Sequence, residues 1–169
     1  MRFFSRYSSP AGEITLASDG EKLTGLWFEG QRFFAAGLRA DASEDDSPAI
    51  FAAAKEWLGE YFSGRRPDRS FLPLAFEGSA YRRAVWTLLT EIPYGQVRTY
   101  GEIAALAAER VGGKPSARAA GGAAAHNPIS ILVPCHRVTG AKGELTGYAG
   151  GIDRKRMLLK LEGVRLPEK

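Results

Sequence analysis

The apolar residues of this chain follow a two-residue period at its beginning and a helical period later, and this change limits the folds open to it. Three early segments, Arg2–Tyr7, Glu13–Ala17 and Lys22–Phe28, alternate apolar with polar residues. Turn-forming residues separate them, at Ser9–Gly12 and Ser18–Gly20. Such alternation is typical of strands with one buried face, so the sequence predicts a small antiparallel meander.

One helix is predicted to follow the meander and to cover a face of the sheet. The acidic stretch Ala40–Asp46 is interpreted as a loop, and Ser47 with Pro48 is expected to cap the helix. The residues at helical spacing are Ile50, Phe51, Ala54, Trp57, Leu58, Tyr61 and Phe62. Gly64 should end the helix, and the stretch from Gly64 to Pro73 is the expected linker. We therefore expect an N-terminal structural domain at residues 1–76 and a second domain at 77–169.

Beyond the linker the spacing of apolar residues is helical. Ser79 is placed to cap a helix that runs to about Glu91. Thr99 and Glu102 have the spacing of a capping box, so Tyr100 should be the first residue of the next helix. The second half of the chain is therefore predicted to be mostly helical.

The segment Ser116–Ala125 is predicted to be a helix with very few side chains. Apart from Ser116 and Arg118 it consists of alanine and glycine, and each of its two glycines costs up to about 1 kcal/mol relative to alanine. It follows the preceding helix after a break at Gly112–Pro115, as in a helix-turn-helix whose second helix enters a DNA groove. Small residues equally suit tight packing inside a protein, and the residues alone leave both interpretations open.

Cys135, the only cysteine, lies between an apolar run and a His-Arg pair. A thiol reacts as its thiolate, and a neighbouring histidine such as His136 is one means of lowering a cysteine pKa. Pro134 has a fixed φ, so Val133 should end an extended strand and Cys135 should open a turn that presents its sulfur. Free cysteines are mostly buried and inert, so a lone Cys-His pair favours a structural thiol. The flanking motifs change that interpretation.

The sequence around Cys135 resembles the active site of the O6-alkylguanine-DNA alkyltransferases. The motifs that carry the resemblance are Asn127–Pro128, Pro134–Val138, Gly147–Gly151, Ile92–Gly95 and Arg118–Gly122. They span roughly half the chain. The predicted fold is α/β of the α+β type: a small N-terminal antiparallel sheet with a covering helix, ribonuclease-H-like by resemblance, then a mostly helical, winged helix-turn-helix-like domain.

The resemblance implies direct DNA repair. The alkyl group of O6-alkylguanine, and also of O4-alkylthymine, would pass to Cys135 after the nucleotide has flipped out of the duplex. The product is a thioether, which has no easy hydrolytic exit, so each molecule would act once and without a cofactor. The implied partner is double-stranded DNA that carries the lesion, bound from the minor groove.

The resemblance also assigns roles to individual residues. His136 would help to deprotonate Cys135 through a water molecule, with Glu162 orienting the imidazole. Tyr100 would donate to the departing base, and Arg118 would fill the space of the flipped nucleotide. The expected DNA contacts are Arg118, Tyr100, Ala119, Gly122 and Asn127. The expected pocket residues are Tyr148, Val138, Ala149 and Gly150.

Two further structural features are expected, an ion pair and a final helix. Arg137 should belong to a structural ion pair. A final helix near Arg154–Leu161 should turn Met157, Leu158 and Leu161 toward the core. Its four basic residues, Arg154, Lys155, Arg156 and Lys160, should be solvated or near DNA.

This sequence departs from the family pattern in two places. Tyr100 and Arg118 are eighteen positions apart, about four more than is common, which affects how the recognition helix is positioned. Ala149 stands where some members have serine, so only its backbone N–H could bind the guanine O6.

Charge and composition restrict the functions further. Residues 1–79 carry nine Lys/Arg against twelve Asp/Glu, a net of −3, whereas residues 80–169 carry fourteen against seven, a net of +7. The basic half is the candidate DNA-binding part. No apolar stretch approaches the roughly 20 residues of a membrane helix and no signal peptide follows Met1, so a cytoplasmic protein is expected. We also expect a monomer. One cysteine and two histidines give no convincing zinc site, and no metal is expected.

Three other functions compete with alkyl transfer. A non-enzymatic protein that binds alkylguanine lesions would resemble the C-terminal half but lack the cysteine. A transcription regulator would need more side chains able to read base edges on its recognition helix. A cysteine hydrolase would turn over repeatedly on an ester or amide.

Overall fold

The computed structural model describes residues 2–167, and the chain forms two compact units. One contains the chain up to Phe76 together with Pro128–Ser130, and the other contains Glu77–Asn127 with the chain from Ile131 onward. The fold is of the predicted mixed class, with a sheet and covering helix in the first unit and mainly helices in the second. Within residues 2–167, no helix has the length and apolar character needed to span a membrane.

The sheet of the first unit has the strand order β3-β2-β1-β4. Strands β1 (Phe3–Ser9), β2 (Gly12–Ser18) and β3 (Leu23–Phe28) form the predicted antiparallel meander. Strand β4 (Ser43–Glu44) pairs in parallel with β1, so the interpretation of residues 40–46 as a plain loop was wrong. A two-residue strand gives no periodic signal, because it is held by backbone pairing alone.

Strand β3 is buried at all six positions, and short segments from elsewhere in the unit cover its outer edge. Leu23 forms a parallel bridge with Leu74, and Leu26 forms one with Ile129. The Leu26 N–H donates to the Pro128 carbonyl at 2.8 Å, and the Ser130 N–H donates to the Leu26 carbonyl at 3.0 Å. This pairing explains why residues 128–130 cluster with the first unit.

Helix α1 (Ala49–Phe62) packs on β1 and β2, as predicted. The predicted apolar face is buried except at its end, where Phe62 is half-buried. The predicted serine cap was wrong: Pro48 is the N-cap and provides no side-chain hydrogen bond. Ser47 lies one residue too early, and its N–H donates to Asp45 Oδ1 at 2.8 Å.

Up to residue 167, the second unit contains four α-helices, α2 (Ala80–Thr90), α3 (Tyr100–Val111), α4 (Ala117–Ala125) and α5 (Ile152–Leu161). Helices α2, α3 and α4 pack on one another. The predicted caps are confirmed, because Ser79 accepts from the Arg82 N–H and Thr99 forms a full capping box with Glu102. Tyr100 therefore opens α3, as the spacing predicted.

A short parallel pair joins the start of α3 to the segment after Cys135. Strand β5 (Arg98–Thr99) pairs with β6 (Val138–Thr139). Cys135–Arg137 form one turn of 3₁₀ helix directly before β6, and α5 packs against that turn. The pairing thus places the first turn of α3 near the cysteine.

Two expectations about this unit were wrong. No strand ends at Val133: the chain turns at residues 130–133, where Ile131 has a φ of +68°. A β-branched residue rarely adopts this left-handed conformation, so the apolar run gave no warning of the turn. In α5 the buried residues are Lys155, Leu158 and Leu159, whereas Met157 is 37% exposed.

Candidate active site

Cys135 opens the predicted turn, and backbone hydrogen bonds hold that turn. Pro134 has φ −80° and ψ 66°, the geometry of an inverse γ-turn, and the Cys135 N–H donates to the Val133 carbonyl at 2.8 Å. The Arg137 N–H donates to the Pro134 carbonyl at 3.0 Å. Cys135 is only 5% exposed, so a reactant must enter a nearly closed space to reach its sulfur.

Asn127 connects the end of α4 to this turn. Its Nδ2 donates to the Val133 carbonyl at 2.8 Å and lies 3.2 Å from Cys135 Sγ. One buried amide therefore fixes the backbone before the cysteine and supplies a hydrogen bond to the sulfur.

Glu162 accepts hydrogen bonds from three donors, two in the 3₁₀ turn and one at Gly95. His136 Nε2 lies 2.5 Å from Oε2, Arg137 Nε donates to Oε1 at 2.7 Å, and the Gly95 N–H donates to Oε1 at 3.1 Å. The side chains of His136 and Glu162 are both fully buried. The structural ion pair predicted for Arg137 is confirmed, and its Nη1 also donates to the Ile92 carbonyl at 2.7 Å.

These contacts define the protonation of the histidine. Burial alone raises the pKa of Glu162, but the hydrogen bonds from His136 and Arg137 and the permanent charge of Arg137 outweigh it and hold that pKa well below its usual range. Burial lowers the pKa of His136, and its hydrogen bond to the Glu162 carboxylate opposes this only in part. The imidazole is therefore neutral near pH 7, with its proton on Nε2 facing Glu162. Its Nδ1 is buried, has no hydrogen-bond partner among residues 2–167, and is free to accept a proton.

The thiol itself differs from the sequence expectation. Burial raises the pKa of Cys135, while the Asn127 hydrogen bond and the charge of Lys155 lower it by less. A neutral histidine cannot stabilise a thiolate by charge, so His136 does not lower the pKa of Cys135 in the way that a charged neighbouring histidine can. Cys135 is a thiol near pH 7 and must lose its proton as it reacts.

Tyr100 lies at the start of α3 and contacts the loop that precedes α5. Its hydroxyl donates to the Thr146 carbonyl at 2.8 Å and is 3.2 Å from the Gly147 carbonyl. Lys155 Nζ is 3.3 Å from the Tyr100 hydroxyl oxygen. Burial raises the pKa of Tyr100 to about 12 and lowers the pKa of Lys155 to about 8, and a negative charge on Cys135 acts to raise both, which ties this cluster to the cysteine.

Helix α4 divides its small residues between two faces. Ala120, Ala123 and Ala124 are buried, whereas Arg118, Ala119 and Gly122 are exposed. A Cβ added at Gly122 would meet no atom within 4 Å, so packing inside the protein does not require glycine there. Tight packing inside the protein therefore explains the buried face of α4 and leaves its exposed face without a packing reason for small residues.

The four residues expected to line a base pocket lie in two places. Val138 is fully buried in β6. Tyr148, Ala149 and Gly150 belong to a turn closed by the Gly151 N–H donating to the Tyr148 carbonyl at 2.9 Å. This turn directly follows Gly147, which Tyr100 contacts.

Sequence reasoning missed Lys155 and the Gly95 N–H. Lys155 shares a helical stripe with Leu158, Leu159 and Glu162, at positions i, i+3, i+4 and i+7, and that spacing was the available signal. The Gly95 contact joins residues far apart in sequence and gave none. Within residues 2–167, no group of His, Cys, Asp and Glu could hold a metal ion.

Fold and site together define a protein that presents a buried thiol, backed by a His-Glu pair, beside a helix with a small-residue exposed face. Family models described as "6-O-methylguanine DNA methyltransferase, ribonuclease-like domain" and "6-O-methylguanine DNA methyltransferase, DNA binding domain" match residues 3–76 and 80–164. The chain belongs to this family, the methylated-DNA–protein-cysteine methyltransferases. The resemblance stated from the sequence is thereby confirmed.

Relatives of this name are similar over nearly the whole chain. The methylated-DNA–protein-cysteine methyltransferase of Mycolicibacterium paratuberculosis is 47% identical over 91% of this chain and 88% of its own length. That of Methanosarcina acetivorans is 44% identical over 95% and 98%. The crystal structure of Mycobacterium tuberculosis OGT in complex with DNA is 43% identical, with a TM-score of 0.81 over 95% of this chain and 92% of that one.

Proposed function

We propose that this protein repairs alkylated DNA directly, as a methylated-DNA–protein-cysteine S-methyltransferase that moves the alkyl group of O6-alkylguanine to Cys135. O4-alkylthymine is a second substrate of the same class. One observation carries this proposal: Cys135 is held by Asn127, beside a neutral His136 whose Nε2 is fixed by Glu162. The site thus contains a nucleophile, a base and a group that orients the base, as an activated thiol nucleophile requires.

The chemistry begins with deprotonation of the thiol. His136 Nδ1 takes the Cys135 proton through a water molecule, and Glu162 stabilises the resulting imidazolium. The sulfur then forms a bond to the alkyl carbon while the bond from that carbon to the guanine O6 breaks. The electron pair leaves with the guanine, which takes the hydroxyl proton of Tyr100; exchange with solvent then removes the proton from the His136 imidazolium and returns one to Tyr100. The thioether has no hydrolytic exit, so each molecule acts once and uses no cofactor.

The DNA partner is a duplex that carries the lesion, bound from the minor-groove side by α4. The nucleotide must leave the stack, at a cost of a few kcal/mol. Arg118 fills the vacated space, while Ala119 and Gly122 allow the helix to approach the backbone closely. Tyr148, Val138, Ala149 and Gly150 surround the extruded base, and Asn127 holds the cysteine turn. The protein acts as a monomer in the cytoplasm.

Stoichiometry tests this function. The wild type is incubated with excess O6-methylguanine duplex, and the peptide that contains Cys135 is weighed by mass spectrometry. We expect one methyl group per protein molecule, on Cys135, and no further turnover. Cys135→Ser should bind the duplex but accept no methyl group. Repeated turnover by the wild type, or transfer by the serine variant, would contradict the proposal.

A further inference from the structure

The sequence contains two histidines, and the reaction proposed above uses only His136. The other, His126, is the C-cap residue of α4 and directly precedes Asn127, whose side chain holds the cysteine turn. His126 is half-buried, whereas His136 is fully buried. His126 therefore lies where the proposed DNA-binding helix meets the active site, with part of its surface accessible.

Arg118, Gly122 and His126 lie on one ridge of α4. They are four residues apart, and side chains with this spacing follow one another along a helix surface. Arg118 and Gly122 are exposed, and both are proposed DNA contacts. At a rise of 1.5 Å per residue, the two ends of the ridge are about 12 Å apart. The face that α4 offers to DNA thus carries a basic side chain at each end.

The position of His126 on this ridge suits a phosphate better than a base. The minor groove is about 6 Å wide. When Arg118 fills the space of a flipped nucleotide, a residue about 12 Å away along the helix lies beyond the floor of the groove, beside the phosphates that border it. The ligand that His126 would meet there is a phosphodiester of the DNA backbone.

The contact of His126 with its own helix decides which ring nitrogen carries the hydrogen. Nδ1 lies 2.8 Å from the Gly122 carbonyl oxygen. A carbonyl only accepts hydrogen bonds, so Nδ1 carries a hydrogen and Nε2 of the neutral ring has only a lone pair. A lone pair repels a phosphate oxygen. Protonation of Nε2 reverses this, because it adds both a donor and a positive charge.

The surroundings of α4 allow that charge. The charged and titratable groups of α2 and α3, the helices packed on α4, are Tyr81, Arg82, Arg83 and Glu91, and Tyr100, Glu102, Glu109 and Arg110. Glu91 is paired with Arg110, and Glu102 is engaged in the capping box. Burial raises the pKa of both tyrosines, so they stay neutral. The last carbonyls of a helix favour a cation, and so does nearby DNA.

We propose that His126 binds a phosphate of the DNA backbone at the C-terminal end of α4, and that it does so only as the imidazolium. This inference rests on the proposed function, because it requires α4 to lie against the duplex. It gives His126 no part in the transfer of the alkyl group.

Affinity for the duplex should therefore rise as the pH falls. Histidine side chains gain their charge between about pH 8 and 5. Burial lowers the pKa of His136, the one other histidine, and keeps its ring out of this titration. One added phosphate contact steepens the salt dependence by about 0.9 in slope, which corresponds to about fivefold to tenfold in affinity at 0.1 M salt.

Fluorescence anisotropy of the wild type on an unmodified labelled duplex, at constant ionic strength from about pH 5.5 to 7.5, tests the inference. We expect the Kd to be about fivefold to tenfold lower at the acidic end. His126→Asn keeps an N–H donor for the Gly122 carbonyl but has no outer ring nitrogen, so its Kd should stay at the wild-type value of pH 7.5. His126→Arg carries a permanent charge, so its Kd should stay at the wild-type value of pH 5.5.

Lys22 provides the matched control, because it is exposed in a turn of the acidic half of the chain. Lys22→Met removes one positive charge and should keep the wild-type dependence on pH. Salt series of the wild type at both ends of the pH range should differ in slope by about 0.9. Thermal melts establish that each variant is folded; if His126→Arg is not, His126→Asn and the two wild-type slopes decide.

A wild-type Kd that is independent of pH, or a pH dependence that persists in His126→Asn, would overturn the inference. Failure of the proposed function has a different signature, since it would leave Cys135 without a methyl group while the pH dependence of binding persists. A wild type that does not bind the duplex at any pH would overturn both.

Discussion

Glu162 is the residue on which the charges of the site converge. Its carboxylate accepts from His136, Arg137 and the Gly95 N–H, and its side chain is fully buried. If the negative charge of Glu162 is removed, the buried Arg137 guanidinium has no counter-charge. Breaking one partner out of a buried pair costs about 3 to 5 kcal/mol.

We predict that Glu162→Gln lowers the free energy of unfolding by about 3 kcal/mol at pH 7, with slower alkyl transfer. The pKa of Glu162 is lower in the folded chain than the unfolded value of about 4.3. Its contribution is therefore present above about pH 4.3 and is lost progressively as the pH falls toward the folded pKa. Urea unfolding at pH 7, 5 and 3 should show the difference between variant and wild type narrowing at pH 3. A difference that stays constant would contradict this role.

At the residue scale, the sequence predicted the ion pair of a single side chain correctly, but it did not predict properties that depend on how deeply a side chain is buried. The ion pair of Arg137 was predicted correctly. The raised pKa of Cys135 was not evident from the sequence, because burial of the thiol raises that pKa more than its neighbours lower it. Lys155 was placed in solvent because lysine usually is, and only three oxygen atoms gathered from residues distant in sequence make its burial tolerable.

At the scale of elements, α4 combines a packed face with an exposed one. Trp86 Nε1 donates to the Ala123 carbonyl at 2.8 Å on the packed side. Arg118 is the one long side chain of the helix, and it is exposed. A residue in this position can be removed with little effect on the fold, so its effect on repair can be measured cleanly.

Arg118→Ala should fold like the wild type and react normally with free O6-benzylguanine, but repair a duplex roughly a hundredfold more slowly. The reason is that filling the space of the flipped nucleotide must offset an unstacking cost of a few kcal/mol, and losing about 2 to 3 kcal/mol of that gives this factor. The two substrates are compared by single-turnover rates. An equal loss on both would mean a damaged pocket, and an unchanged duplex rate would mean that the longer turn before α4 has moved Arg118 out of its role.

Elements were predictable where the signal is local in sequence. The caps at Ser79 and Thr99 were found because a capping side chain and its target are three residues apart. Strand β4 and the turn at Ile131 were missed, since one is held by pairing with β1 and the other forces a β-branched residue to positive φ. The start of α1 was predicted to within one residue, but the sequence did not show that Pro48, and not Ser47, is its N-cap.

At the scale of the whole molecule, the fold class and the family were both predictable from the sequence. The distribution of charge also differs between the two halves of the chain. Residues 1–79 carry a net of −3 and residues 80–169 a net of +7. The family model described as a DNA-binding domain matches residues 80–164, within the basic half. Charge spread over a half of the chain gives attraction to a polyanion without choice of sequence.

We predict that affinity for duplex DNA falls steeply with salt and depends little on base sequence. Each phosphate neutralised by a lysine or arginine releases a counterion, so the logarithm of the binding constant should fall linearly with the logarithm of salt concentration, with a slope of about −0.9 per phosphate contact. Fluorescence anisotropy of Cys135→Ser on labelled duplexes, from about 50 to 200 mM salt, measures the slope without covalent capture. Duplexes of unrelated sequence should give similar slopes and similar affinities, with an O6-methylguanine added to each as the comparison for lesion binding. Affinity independent of salt, or strong preference for one unmodified sequence, would favour a sequence-reading regulator instead.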